Sequence, residues 1–422
     1  MLDIKFIRNN VDRVKKAIEL KNDHADIDRL LDLDAEKRKI MTEVEELKHQ
    51  RNKVSEDIGR MKQQHQDATP FIQEMKKVAD RIKQLDDQVK SLDQEMYQIL
   101  IRIPNVPHES VPIGKDASAN VEVKRWGQLP PKDYKPKPHW EVGEKLGIID
   151  FAGGSRVSGS FFINYKGLGA RLQRALIAFM LDLHIKKHGY TEVYPPFIVN
   201  RESMFGTGQL PKLEDDMYVT SVDDFFLIPT AEVPVTNLLR DQMLKAEDLP
   251  IYYTAYTPCF RREAGTYGKD TRGLVRVHQF DKVEMVKFVK PETSYDELEK
   301  LLQNAEEVLQ LLELPYRVLA LSTGDLSFAA AKCYDIEVWA DGLGKWLEVS
   351  SCSNFEDFQA RRANIRFKRD AASKPEYVHT LNGSGLALPR TVIAILENYQ
   401  TDEGSVMVPN VLREFMGTDI IK

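Results

Sequence analysis

Phe260-Arg261-Arg262-Glu263-Ala264-Gly265, then Thr266–Arg272 (TYGKDTR), then Gly273-Leu274-Val275-Arg276-Val277-His278-Gln279-Phe280-Asp281-Lys282-Val283-Glu284, reads as strand, polar loop, strand. Alternation along the second run puts Arg276, His278, Phe280, Lys282 and Glu284 on one face. Arg261, at the end of the first strand, can face the same way across the hairpin. Two arginines, an aromatic ring and a carboxylate make a poor surface for a core. They make a good floor for a triphosphate, a stacked base and an ammonium group; the competing reading is a solvated sheet face.

Working outward, the text from about His139 onward alternates apolar helices such as Leu172–His188 with β-rich runs, Thr191–Val199, Leu274–Val289, Tyr316–Leu321 and Tyr334–Trp339. Several runs follow one another without an intervening helix, which favours an antiparallel sheet of the α+β kind. Upstream, residues Ile103–Tyr134 carry Pro104, Pro107, Pro112, Pro130 and Pro131 with little periodicity and read as a linker. Before them lie two heptad stripes. Leu30, Lys37, Val44, Arg51 and Ile58 interleave with Leu33, Ile40, Leu47, Val54 and Met61, and Phe71, Val78, Leu85, Leu92 and Ile99 with Met75, Ile82, Val89, Met96 and Ile103. Steps of three and four over this length predict an antiparallel helical hairpin at about 28–103, reversing at Gln63–Pro70. From Leu30 to Met61 the first helix would run roughly 48 Å, too long for the core of a compact domain.

The chain has 422 residues, more than one ordinary domain, with 42% hydrophobic and 29% charged residues, so a wholly disordered chain is excluded. No run of 18 apolar residues exists, so no membrane-spanning helix is expected. Met1–Leu20 mixes acidic, basic and apolar residues, unlike a secretory signal or transit peptide. Cys259, Cys333 and Cys352 are too few and scattered for a disulfide framework or a thiolate zinc site, and a cytoplasmic location is expected. Net charge is −6, so a nucleic-acid partner would need a local basic surface. Lys48–Lys90 offers one, with ten Lys or Arg against seven Asp or Glu. That is compatible with an ordinary solvated coiled coil, with a dimerisation rod, or with a probe for a phosphate backbone, and the arm alone does not decide.

The common nucleotide and hydrolase signatures, G-x-G-x-x-G after a strand, G-x-x-x-x-G-K-[ST], H-E-x-x-H and G-x-S-x-G, are missing. The block quoted first instead resembles motif 2 of the class II aminoacyl-tRNA synthetases. Gly385-Leu386-Ala387-Leu388-Pro389-Arg390, opening a helix through Glu397, resembles motif 3, and Leu172–Gly189 followed by Tyr190–Asn200, with Pro196, resembles motif 1. More narrowly, Thr207–Lys212 (TGQLPK), Thr230-Ala231-Glu232, Glu348-Val349-Ser350-Ser351 and Asn382–Arg390 (NGSGLALPR) are similar, in order and spacing, to the bacterial-type seryl-tRNA synthetase family, whose hallmark is an N-terminal helical hairpin. The resemblance covers essentially the whole chain. It implies a tRNA-binding domain at 1–104, a linker at 105–135 and a class II catalytic domain at 136–422, built on an antiparallel sheet flanked by helices.

The same resemblance implies site roles. Arg261 bridges the ATP α-phosphate and the amino-acid carboxylate, a task suited to a planar guanidinium between two anions. Glu263 reads the adenine amino edge, Phe280 stacks under adenine with Arg390 above it and reaching the γ-phosphate, and Arg276 is a second γ-phosphate contact. Arg262, Val277, Val349 and Ser350 lie beside the nucleotide. Glu348 and Ser351 ligate Mg²⁺. Thr230, Ala231, Glu232, Glu284 and Ser384, together with Arg261, form the serine pocket, with Glu284 accepting from the substrate ammonium, its hydroxyl, or both. Arg261, Arg390 and Glu348 are the expected catalytic groups. The implied reaction is ATP-dependent activation of L-serine and transfer to the 3′ end of tRNA(Ser), extended to tRNA(Sec) by its similar long arm, in a homodimer. Arg51, Lys53, Arg60, Lys62, Lys76, Lys77, Arg81 and Lys83 are candidate tRNA contacts by location. Two other readings are a ligase loading an amino acid onto a carrier protein, whose homologues lack the hairpin, and an inactive RNA-binding paralogue, which would have lost the motif arginines or the magnesium pair.

Overall fold

The computed structural model describes residues 1–264 and 272–422, and the chain divides into two compact units. One comprises residues 2–19 and 23–103. Beyond two short helices it is a pair of long ones, α1 (Ile27–Gln63) and α2 (Thr69–Leu100). Asp26 caps α1 by accepting from the Arg29 N–H. Pro70 was expected in the reversal but lies in the first turn of α2, where its missing N–H leaves no helical bond unmade; the turn is correspondingly shorter.

Between these helices Val44, Ile82 and Leu85 are buried together with Ile40, Leu47 and Val78 packed around them. The seam is fullest on the Leu30, Leu33 and Val44 part of α1. Phe71, expected in the stripe, is exposed. Lys37 sits in the stripe by turning its ammonium outward to Asp93, 2.6 Å away. Arg29–Glu95 and Arg81–Glu43 ion pairs also cross between the helices.

The second unit comprises residue 1, residues 20–22 and 104–422. Its centre is an eight-stranded sheet of β1 (Val121–Trp126), β2 (Thr191–Glu192), β3 (Ile251–Phe260), β4 (Gln279–Val289), β5 (Tyr316–Ala320), β6 (Lys332–Ala340), β7 (Lys345–Asn354) and β8 (His379–Ala387). The spatial order is β1-β5-β6-β7-β8-β4-β3-β2, antiparallel except for the β2–β3 pair at one edge. The proline-rich stretch 105–135 is thus more than a connector, since it supplies edge strand β1. The β-rich run at 191–199 yields only β2 and a second two-residue strand, Ile198–Val199.

Helices α3 (His139–Lys145), α4 (Leu168–Lys186), α5 (Ser294–Leu311) and α6 (Leu388–Asn398) accompany the sheet. On α4 the buried Leu172, Ala175, Leu176, Phe179 and Met180 recur at helical spacing. On α5 the corresponding stripe is Leu298, Leu301, Leu302, Ala305, Val308 and Leu309. Both stripes join one apolar cluster with Val283 and Met285 of β4. Strand alternation then turns Phe280, Lys282 and Glu284 to the opposite side.

Candidate functional site

That opposite side is a cleft of about 350 Å³ in the second unit. Its floor follows from register: Glu284 of β4 stands opposite Ser384 of β8 and Ala255 of β3. Directly after Ser384 the β8–β4 pairing shifts register, with Gly385 next in the chain. A Cβ on Gly385 would sit 2.4 Å from the Nε2 of His184, so only glycine lets β8 approach α4 there.

At one end of the cleft, charges are buried together. Glu284 is 1% exposed and Lys282 6%. Their side chains form an ion pair, and the Lys282 ammonium also donates to the Thr230 hydroxyl at 2.8 Å. Thr230 in turn donates to Glu284 Oε2 at 3.1 Å. Beside them Glu232 accepts from Gln359 Nε2 at 2.6 Å. Burial first, and the neighbouring Glu284 carboxylate second, push the Glu232 carboxyl up to about 7, against opposing pulls from Gln359, Lys282 and Asn382. Two carboxyl groups, one ammonium and the hydroxyls of Thr230 and Ser384 form a small, polar, buried pocket. It suits a compact zwitterion carrying a hydroxyl.

The other end is cationic. Arg261 lies 5.3 Å above the Phe280 ring and donates from Nε to the Pro229 carbonyl. Arg276 pairs with Glu263 at 2.6 Å, and Arg390 holds both the carbonyl and carboxylate of Glu348. Arg390 follows Pro389 in the first turn of α6. Val277, Val349, Ser350 and Ser351 also line the cleft. The Ser350 hydroxyl donates to the Ser384 carbonyl at 2.7 Å, tying β7 to β8. Ser351 faces Asp335 across the β6–β7 pair. Burial and then the Glu348 carboxylate hold Asp335 well above the usual carboxyl range.

Of the residues that the resemblance assigns to the nucleotide, magnesium and serine sites, all but two converge here. Ala231 is buried in a neighbouring apolar cluster with Val235 and Phe288, and Arg262 turns outward to the Asp215 carbonyl. Arg276 and His278 lie before β4 rather than on it, because the strand begins only at Gln279. Arg276 reaches the cleft from turns, while His278 packs on Phe161 and Phe162. The cation over Phe280 is Arg261, while Arg390, expected on the far side of adenine, is held by Glu348. Most of the loop Thr266–Arg272 lies outside the described residues.

Sequence reasoning placed Lys282 on this face and Asn382 in a matched motif but gave neither a role, and it passed over Gln359. For Lys282 the signal was its alternation with Glu284. Gln359 had none, since it reaches Glu232 only through the fold, held by the Thr380 hydroxyl and the Thr207 carbonyl. No helix among the described residues is long and apolar enough to cross a membrane.

Comparison with known proteins places this arrangement. Residues 1–107 match the model of the seryl-tRNA synthetase N-terminal domain, and residues 215–399 that of the tRNA synthetase class II core domain (G, H, P, S and T). The serine–tRNA ligase of Caldanaerobacter subterraneus subsp. tengcongensis is 61% identical over 422 residues, covering 100% of this chain and 99% of that one. The crystal structure of Pyrococcus horikoshii seryl-tRNA synthetase complexed with ATP superposes with a TM-score of 0.94 at 40% identity, covering 100% of this chain and 99% of that one. The cytoplasmic serine–tRNA ligase of Naegleria fowleri in complex with AMP gives 0.90 at 29% identity with the same coverage. A cleft with a cationic half and a small polar half, in a chain alike from end to end, makes this protein a member of the seryl-tRNA synthetase family, the serine–tRNA ligases of class II.

Proposed function

We propose that this chain condenses L-serine with ATP to seryl-adenylate, releasing diphosphate, and transfers the seryl group to the 3′ end of tRNA(Ser), and of tRNA(Sec), with release of AMP. The observation that carries the reading is the convergence of Arg261, Arg276, Phe280 and Arg390 with Thr230, Glu232, Glu284 and Ser384 in one cleft. One half suits a nucleoside triphosphate and the other a small hydroxylated amino acid. The ATP of the Pyrococcus relative and the AMP of the Naegleria relative support the nucleotide half.

In the first step a serine carboxylate oxygen attacks the α-phosphorus, forming one P–O bond while the bond to diphosphate breaks. The attacking group is already an anion, so no protein base is required. Arg261 lies where it can hold both anions, and alignment with charge neutralisation supplies most of the acceleration. Phe280 offers the stacking face for adenine and Glu263 an acceptor for its amino group. Nucleotide binding then exchanges the Arg276–Glu263 and Arg390–Glu348 pairs for phosphate contacts. Glu348 and Ser351 present a carboxylate and a hydroxyl, a hard oxygen pair of the kind Mg²⁺ uses when phosphates and waters complete its shell. Bound there, Mg²⁺ would neutralise phosphate charge. Glu284, Thr230 and Glu232 receive the serine ammonium and hydroxyl, and a pocket that hydrogen-bonds a hydroxyl rejects alanine by leaving buried polar groups unpaired.

Residues 1–104 are proposed as the tRNA-binding domain and 136–422 as the catalytic domain of a homodimer. Among the described residues Arg51, Lys53, Lys62, Lys76, Lys77 and Lys83 form no ion pair within the chain, which leaves them available to a phosphate backbone. Arg81 and Arg60 are paired with Glu43 and Asp57. The test is ATP–diphosphate exchange with Mg²⁺ and each of the twenty amino acids in turn. Exchange with serine alone is expected. Exchange with none refutes the activation step, and exchange with alanine or glycine instead favours a carrier-protein ligase.

A further inference from the structure

The return limb of the strand–loop–strand block forms one wall of the cleft through Leu274, Val275, Arg276 and Val277. The two residues before it, Arg272 and Gly273, border a second cavity of about 380 Å³ together with Trp140 and Phe161 among others. Leu274 packs into the apolar core with Val275 against it, and discrete tethers supplement that packing in setting where the wall stands. Arg272 stacks 4.8 Å above Trp140, and the His278 N–H donates to the Phe161 carbonyl at 3.1 Å. The third tether is fully buried: the Leu274 N–H donates to Nε2 of His139 at 3.0 Å.

His139 is itself held. Its Nδ1 lies 2.8 Å from Glu397 Oε1, and both side chains are inaccessible to solvent. Because Nε2 accepts from Leu274, the ring hydrogen sits on Nδ1 and is donated to Glu397. Glu397 also accepts the His139 and Leu343 backbone N–H groups at 2.9 and 3.0 Å. Gly273 makes the approach possible, since a Cβ there would lie 2.2 Å from Nε2. Glu397 is near the C-terminal end of the helix whose first turn carries Arg390.

We infer that His139 is a positioning residue for the nucleotide wall, coupling α6 through Glu397 to the limb that carries Arg276 and leads into Phe280. The inference rests on the reading above that these two residues meet ATP. Asparagine places its amide near the Nδ1 position and glutamine near the Nε2 position, so the two bonds can be separated. H139N keeps the Glu397 bond and loses Leu274, whereas H139Q keeps Leu274.

The experiment measures exchange kinetics and hydrogen–deuterium exchange of the full chain and both variants. H139N is expected to raise the KM for ATP about five- to tenfold, the equivalent of one buried hydrogen bond. The KM for serine should stay within about twofold, protection of the Leu274 amide should fall by a similar five- to tenfold factor, and H139Q should restore both readouts. Equal behaviour of the two variants, an equal rise in the serine KM, or an unchanged Leu274 amide in H139N overturns the inference. Should H139N fail to fold, G273A, which crowds the same imidazole, must show the same split between the two KM values. Absence of serine-dependent exchange in the unaltered chain refutes the serine reading instead, and Leu274 protection then decides the tether by itself.

Discussion

Glu232→Gln isolates the energetic cost of the polar pocket. The Glu232 carboxyl ionises near 7 in the fold, whereas in the unfolded chain it returns to its ordinary 4.5. Below 4.5 both states are protonated and the group contributes no pH dependence. Between the two values the unfolded chain releases its proton first, so folded stability falls as pH rises, reaching a deficit of about 3 kcal/mol above 7. Most of that lies in the measurable range, with about 2 kcal/mol accruing between pH 5.5 and 8.5. Glutamine keeps an acceptor for the Gln359 amide but has no proton to lose. The melting temperature of E232Q relative to the unaltered chain should therefore climb by about 3 °C from pH 5.5 to pH 8.5, for a cooperative unit of this size. Differential scanning calorimetry without ligands at a series of pH values reads this directly. Two melting curves that stay parallel across the range would refute the reasoning, because burial and the Glu284 charge would then not be acting on Glu232. The same variant should lose serine activation while gaining stability.

Three further outcomes follow from the geometry. Arg261→Lys replaces a planar fork by a point charge and should lower the exchange rate by on the order of 10²–10³ with the melting temperature unchanged; a loss below tenfold would remove Arg261 from the reacting centre. Leu85→Ala, at a side chain 1% exposed between α1 and α2, should destabilise the hairpin by about 3 kcal/mol in urea titrations followed by circular dichroism, while serine-dependent exchange is retained. The triple variant K76A/K77A/K83A should reduce the salt slope of tRNA(Ser) binding by about two and leave exchange untouched; an unchanged slope would place the tRNA elsewhere.

How legible the chain is depends on the range over which each residue acts. The heptads of α1 and α2 are local periodicities and yield both helices, although the proline at 70 marks a helix start where a turn was expected. Val283 and Met285 against Lys282 and Glu284 show the alternation that orients β4. Alternation failed for Arg276 and His278 because it presumes a strand, and the chain there runs in turns that bring Arg276 to Glu263. Ala231 sits between two pocket residues in sequence yet turns into the core, since neighbours in a tight turn point different ways. Gln359 is 127 positions from Glu232, and nothing in either neighbourhood announces that contact.

The hairpin seam has a mechanical consequence. Val44, Ile82 and Leu85 are buried between the helices, whereas distal to them the two helices bury only Met75, and Val54, Ile58 and Met61 remain half-covered. Bending resistance therefore declines along the rod, from a stiff proximal segment to a compliant tip. Amide exchange should show the same gradient, fastest near the reversal at 64–68. A rod graded in this way can wrap to an irregular ribonucleic surface at its far end without transmitting that distortion to its root.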